Sequence, residues 1–432
     1  MKKTLLFVLA LSVSVLAQSG GVPKFKFDPD WPKLPLPNGW KIGGVTGLAV
    51  DKDDNVWVYD RPNDLRDMEL KAELTPHIAD CCTRPPSMIH ISKAGDVIGS
   101  FDPPQGHGMA VDAKGFVYLG NAVKGMNTVR KYDPKSGQLL MTLPRAPETQ
   151  NGGGGDDADE APANRQPGRG SNGPVGTFPV QRGGGAGRGG ANAQGAAAAA
   201  AAFLAKYPPT TPMIVGQIEE VRLDEAAHEL YAADSAFGGR VMVFDLDTFA
   251  FKRGWGAHGH KLAEIDTSAA AREYTPGGPF AKEFRGHLTL NISNDGLVYA
   301  ADRGAQRIDV TTREGKYVKS IDMSAPGTKL NDSDRGAAGG VAFSPDKAQK
   351  FVYICDIKNN TIWFVDRQTG KIMGHFGQMG ENGGDFFGLH MIATDSKGDI
   401  YTGEVFAGQR VQRFVPADSA RGKLLEQLAR VQ

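Results

Sequence analysis

The stretch Leu290-Asn291-Ile292-Ser293-Asn294-Asp295-Gly296-Leu297-Val298-Tyr299-Ala300-Ala301-Asp302 decides the fold. It reads as an apolar strand, a polar turn with glycine, and a second strand ending on an acidic residue. The phrase returns at residues 47–51 with 56–60, at 108–112 with 116–119, and at 220–224 with 229–234. It returns again at 340–344 with 351–356 and at 391–395 with 400–404. A period of roughly 40–50 residues with several short strands per unit is the signature of a β-propeller. The copies predict a six-bladed ring. Its inner strands converge on a central channel, so equivalent positions in different blades become neighbours in space.

The third and fourth strands of a blade are also readable. After Asp302 come Arg307-Ile308-Asp309-Val310 and Tyr317-Val318-Lys319-Ser320 across the turn at Glu314-Gly315-Lys316. Strand, glycine turn, strand is hairpin grammar. The last blade supplies only three obvious strands, ending at residues 411–415. An open ring would leave an exposed edge, an aggregation liability, so residues 24–27 are expected to return as the missing strand. The propeller then spans residues 24–416.

Three insertions break the rhythm. Residues 63–83 interrupt the first blade between its second and third strands. Residues 151–202 are glycine, alanine, asparagine and arginine of low complexity, too poor in apolar side chains to fold, and are expected to be a disordered surface loop. Residues 257–282 separate the third and fourth blades and are placed to cap one face. Within them, His258 and His260 have metal-like spacing but read as exposed polar residues of a glycine-rich loop.

The chain opens on Lys2-Lys3, an apolar run from Leu5 to Leu16, and Ala17-Gln18. That is a secretory signal peptide over residues 1–17, predicting a secreted or periplasmic protein. The run is short for a membrane span, which takes about 20 apolar residues. Lysine plus arginine (49) equals aspartate plus glutamate (49), so nothing suggests an electrostatic footprint for nucleic acid. The chain has 3 cysteines, an odd number for an oxidising compartment. Cys81 and Cys82 could join each other, or one of them could join Cys355; Cys355 also reads as a small buried apolar residue.

Three histidines stand at the entries of inner strands: His107, His287 and His390, in blades two, four and six. Alternate blades of a six-bladed ring lie about 120° apart around the axis. Three imidazoles converging on one mouth with an open fourth position is a catalytic zinc arrangement. His107 and His390 sit the same distance before the motif aspartate, whereas His287 sits one residue further from Ser293. A slip of one residue turns a side chain to the opposite face unless a bulge or entry loop restores it. Asp51, Asp112, Asp224 and Asp395 recur at the ends of inner strands and read as turn caps. Asp302, Arg303 and Asp356 read as structural. Trp57, Trp255 and Trp363 read as packing between blades.

The repeats resemble NHL repeats. The histidines and Val58-Tyr59-Asp60-Arg61 resemble the six-bladed peptidyl-α-hydroxyglycine α-amidating lyases, from about residue 45 to 415 outside the glycine-rich insertion. Cys81-Cys82 and residues 292–299 are closer still to secreted bacterial NHL-repeat proteins. The resemblance implies a zinc ion on His107, His287 and His390, with Arg61 contacting substrate. Arg61 fits a carboxylate clamp, since a guanidinium matches a carboxylate bidentately, and equally fits an inter-blade ion pair. Two departures stand against the lyase. The catalytic tyrosine position is Ala236, and the adjacent Phe237 has no hydroxyl. The aspartate that would bind structural calcium after the last histidine is Met391, so calcium is not expected there. Tyr59 and Glu219 lie near the same mouth by register. Two functions are therefore expected to compete. One is a zinc-dependent lyase acting on a small-molecule or peptide ligand in the channel. The other is a non-catalytic propeller binding a peptide, glycan or protein. A calcium-dependent lactonase is weaker, because no glutamate and asparagine set gathers at the strand entries.

Overall fold

The computed structural model describes residues 21–121, 127–147, 191–275, 277–324 and 338–430. The chain enters through β1 (Phe25–Phe27). Blade one is β2 (Gly44–Val50), β3 (Val56–Arg61), β4 (Met88–Ile91) and β5 (Val97–Phe101). Blade two is β6 (Met109–Val111), β7 (Val117–Asn121), β8 (Thr128–Asp133) and β9 (Gln138–Thr142). The helix α1 (Ala191–Lys206) leads to blade three: β10 (Gln217–Asp224), β11 (Glu229–Ser235), β12 (Arg240–Asp245) and β13 (Phe251–Trp255). Blade four is β14 (Leu288–Ile292), β15 (Val298–Asp302), β16 (Arg307–Thr311) and β17 (Tyr317–Asp322). Blade five is β18 (Val341–Phe343), β19 (Phe351–Asp356), β20 (Thr361–Asp366) and β21 (Ile372–Phe376). Blade six is β22 (Leu389–Thr394), β23 (Ile400–Glu404) and β24 (Val411–Pro416), before α2 (Ala420–Ala429).

Each blade is a four-stranded antiparallel sheet, and the protein is a six-bladed β-propeller. The sixth sheet is completed by β1, which pairs with β24 in the register Phe25 to Pro416 and Phe27 to Phe414. The aromatic residues explain the closure. Phe25 stacks on Phe376 and meets Tyr353 edge-on, while Phe27 packs on Phe414. Asp28, just beyond β1, is fully buried between Arg413 and Arg421, which tie the chain's entry to β24 and α2.

The core lies between blades. Tyr299, Ile308 and Val310 of blade four pack on Val341, Phe343 and Ile354 of blade five. Trp57 joins Met109, Val117 and Leu119 of blade two, and Trp255 joins Leu288 and Leu290 of blade four, as inter-blade packing requires. The motif aspartates cap turns. Asp112 Oδ1 accepts from the amides of Lys114 (3.0 Å) and Phe116 (2.9 Å), and Asp395 repeats this with Lys397 and Asp399.

Some expectations change. Cys81 and Cys82 are joined to each other, and Cys355 is a buried free thiol. His258 and His260 are half-buried rather than exposed, because acidic partners draw them inward. The His258 amide donates to Asp309 Oδ2 (2.8 Å), and His260 Nδ1 pairs with Glu283 Oε1 (2.9 Å). Of the low-complexity stretch, residues 151–190 lie outside the described residues, as does the expected leader, residues 1–17. Its end is helical in α1, which anchors through Phe203 against Ala146, Val215 and Phe237. Among the described residues no helix is long and apolar enough to cross a membrane.

Candidate functional site at the channel mouth

All inner strands enter the ring at the same face. Gly44 at the start of β2 pairs with Arg61 at the end of β3, so whatever follows a second strand emerges at that face too. The insertion after β3, the segment carrying α1 and the strap from Gly256 to Gly286 therefore wall one mouth. The opposite face carries the short Asp-capped turns. A cavity of about 230 Å³ lies in the channel toward that Asp-capped face, lined by the far ends of inner strands at Val50, Val111, Leu223, Glu225, Asn291 and Thr394 and by none of the three histidines.

Three inner strands carry a β-bulge at the walled mouth. The ladder shifts between Val45 and Gly47, between Ile218 and Glu220, and between Leu389 and Met391. Thr46, Glu219 and His390 are thus the extra residues. A bulge re-aims its side chain, which here turns a strand residue toward the axis. His107 occupies the same position ahead of β6. The inner strand of blade four has no bulge, and its pairing with β15 runs unbroken from Leu288. There His287 adopts left-handed backbone, φ +55°, directly after Gly286 at φ +133°. That local geometry absorbs the one-residue offset seen in the sequence. The loop is held by Asp302, which accepts from the amides of Arg285 (2.9 Å) and Gly286 (3.3 Å).

The structure brings His107 and His390 together. Their Nε2 atoms lie 3.3 Å apart, with the rings edge to face. His107 Nδ1 lies 2.6 Å from the Glu219 carbonyl oxygen, and His390 Nδ1 lies 3.3 Å from that of Val45. A carbonyl oxygen only accepts, so each Nδ1 carries the proton and donates. In a neutral imidazole that leaves Nε2 as a lone pair. Two lone pairs therefore face one another in a buried site. Burial pushes His107 down to about 3; the Glu219 charge opposes this, and Arg61 and Arg303 reinforce it. Burial likewise drives His390 well below the ordinary imidazole range, with His107, Arg303 and Arg61 adding to it. Both rings are neutral near pH 7, the state a metal ligand requires.

His287 Nδ1 lies 3.4 Å from Glu219 Oε1. Burial works to raise Glu219, but His287, His107 and Arg303 outweigh it and hold the carboxylate below its usual range. Among the described residues no group of three or more His, Cys, Asp or Glu is gathered closely enough to hold a metal ion. Only the His107–His390 edge has ligand spacing: Zn–N bonds of about 2.0–2.1 Å at a tetrahedral angle put two nitrogens about 3.3–3.4 Å apart.

Arg61 ends β3, and its charge bears on both buried histidines; its Nε is buried with no hydrogen-bond partner among the described residues. Arg303 follows β15 at the matching position of the opposite blade, is 6% exposed, and bears on the same histidines and on Glu219. Arg303 was legible only as structural, yet Asp302-Arg303 repeats Asp60-Arg61. Tyr59 is fully buried and donates to the Pro104 carbonyl (2.6 Å). Ala236, at φ +51°, offers no hydroxyl, and Phe237 packs on Phe203. Met391 is buried in the blade-one and blade-six core. Arg222 of β10 donates to the Met109 carbonyl (2.9 Å) and to Glu220 (2.7 Å), bracing blades two and three inside the channel.

No family model matches the chain, and no curated protein matches it. Among solved structures it is similar to a structural genomics protein of unknown function from Bacteroides thetaiotaomicron, at 14% identity and a TM-score of 0.49. The match covers 87% of this chain and 70% of that one.

Proposed function

We propose that the protein is an exported NHL-type propeller whose walled mouth binds zinc through His107, His287 and His390. It acts there, as a lyase would, on a small carboxylate-bearing or peptide-like substrate. One observation carries the reading: each of the three Nδ1 atoms is set against a protein oxygen, at 2.6, 3.3 and 3.4 Å. Metal-binding histidines commonly donate their other ring N–H to a carbonyl or carboxylate, which fixes the tautomer and offers Nε2 as the ligand. The His107–His390 spacing fits two vertices of a tetrahedral site. Bound there, zinc would supply Lewis-acid polarisation of a substrate oxygen. Glu219 would orient His287. Arg61 and Arg303 would offer positive charge to a substrate carboxylate from opposite blades.

A second reading, a non-catalytic propeller that binds a peptide, glycan or protein at this mouth, is favoured by Ala236. No hydroxyl stands there to take a proton. Metal analysis of the purified protein beside His107→Ala and His390→Ala tests the first reading. Stoichiometric zinc lost in both variants supports it, and turnover of an α-hydroxyglycine peptide would separate lyase from binder. A wild-type protein that takes up no zinc on loading leaves the binding propeller as the better account.

A further inference from the structure

The second strands of blades three, four and six each carry, at or next to their last residue, a buried acid answered by an arginine. Asp234 meets Arg240 at 2.9 Å, Asp302 meets Arg307 at 3.6 Å, and Glu404 meets Arg410 at 2.8 Å. In blade five Asp356 is answered by two amides, the Asn359 side chain and the Trp363 indole. Blade one breaks the pattern. Asp60 is fully buried, and the residue across the ladder is Ser87, whose carbonyl takes the Asp60 amide. Asp60 Oδ1 accepts from the Gly43 amide (2.7 Å), but Oδ2 is buried with no hydrogen-bond partner among the described residues.

A second carboxylate stands beside it. Asp64, in the turn Pro62–Asp64, comes so close to β2 that a Cβ on Gly44 would lie 2.5 Å from its Oδ2. A Cβ on Gly43 would lie 3.2 Å from Asp60 Oδ1. Two successive glycines thus leave room for two carboxyl groups at the start of one strand. Burial, reinforced by Asp64, pushes the Asp60 carboxyl well above its usual range, outweighing the Gly43 and Arg61 amides and the Lys41 charge, which pull it down. A buried carboxylate whose second oxygen has no donor is unfavourable.

We propose that Asp60, with Asp64, holds a hard divalent cation of the calcium type between the start of β2 and the turn at Pro62–Asp64. The ligand chemistry is all oxygen, as such cations demand, with water completing the 6–8 positions. It is distinct from the histidine mouth, whose nitrogen donors suit zinc. It also gives the cation a function. Arg61 lies between the two acids in sequence, so fixing Asp60 and Asp64 fixes the backbone that aims the Arg61 guanidinium.

The test uses full-length protein stripped with chelator, titrated with calcium, and followed by bound calcium and by thermal unfolding. Wild type is expected to bind one calcium per chain and to melt higher in millimolar calcium. Asp60→Asn keeps the Gly43 contact and removes the charge. It is expected to lose at least about tenfold in calcium affinity, because affinity follows ligand charge. Without calcium it should melt no lower than wild type. The His107→Ala/His390→Ala double variant is expected to keep its calcium while losing zinc, so failure of the mouth reading and failure of this one are separable. Should Asp60→Asn not fold, Asp64→Asn is read the same way. A wild type that binds neither calcium, magnesium nor manganese at millimolar concentration overturns the proposal. So does an aspartate variant with wild-type affinity.

Discussion

Replacing Glu219 by glutamine should weaken zinc binding at the mouth without unfolding the ring. The side chain's one close contact with a proposed ligand is Oε1 to His287 Nδ1, 3.4 Å. The backbone carbonyl that holds His107 Nδ1 at 2.6 Å survives the substitution. Glutamine keeps the length but removes the charge, and it can turn its NH2 toward the ring and favour the wrong tautomer. Loss of such an outer contact typically lowers metal affinity 10–100-fold. That corresponds to about 1.4–2.7 kcal/mol. The assay is competition for zinc against a chromophoric chelator at fixed pH, with wild type, Glu219→Gln, His287→Ala and His390→Ala side by side. The expected order is wild type tightest, Glu219→Gln intermediate, and the two histidine variants weakest. If His390→Ala loses zinc while Glu219→Gln and His287→Ala bind like wild type, His287 is not a ligand and the reasoning fails. If none of the variants differs from wild type, the metal is elsewhere.

Three further outcomes follow from the packing. Arg240 is fully buried and donates to Asp234 (2.9 Å) and to the Thr211 and Met213 carbonyls (3.0 and 2.6 Å). Arg240→Met should therefore cost about 3–5 kcal/mol in denaturant unfolding, with part recovered by adding Asp234→Asn; recovery of nothing would refute the ion-pair account. Glu229 is held at about 2, first by its hydrogen bonds to Arg253, with Lys252 and Tyr231 adding to this against burial. Its folded value is depressed, so its contribution is present above about pH 4.5 and is lost as pH falls towards 2. The stability gap between wild type and Glu229→Gln should close over that window, and a gap that widens on acidification would contradict the assignment. Thiol titration should find no reactive cysteine in the native protein and one after denaturation without reductant, because burial shields Cys355 and pushes its thiol up. Three thiols without reductant would mean that Cys81 and Cys82 are not joined.

The ring was legible because a propeller writes its repeat into sequence: alternating apolar residues, a turn, an acid. The closing strand could be deduced because a sixth blade with three strands leaves an edge unpaired, and β1 fills it. His107 and His390 were legible because they share a position in the repeat. Glu219 shares it too, and its bulge could not be read. A bulge is a mismatch between two strands, and neither strand alone records it. Arg303 had a signal that went unused, its match to Arg61 after the same acid. The partners of His258 and His260 lie 51 and 23 residues away along the chain, beyond the reach of local spacing. The same holds for Asp60: that it lacks an arginine is visible only once the other blades' pairs are seen.

Most of the ring's polar chemistry is settled internally. Aspartates cap their own turns, and arginines answer the acids of three second strands. Among the departures from this, two stand at the walled mouth, and local rules broken without an internal remedy concentrate where a protein does its work. At the mouth, two neutral imidazoles turn lone pairs on each other at 3.3 Å. Beside the same mouth, Asp60 presents a buried carboxyl oxygen with no donor. A proton would relieve either one, but the histidines resist protonation through burial and the neighbouring arginines. A proton serves Asp60, whose carboxyl burial raises, whereas a cation, as proposed for each place, would relieve both. The donors differ as the cations would: nitrogen lone pairs at tetrahedral spacing in one place, carboxylate oxygens around a glycine pair in the other. That contrast is why the two sites should separate cleanly when zinc and calcium are measured on the same variants.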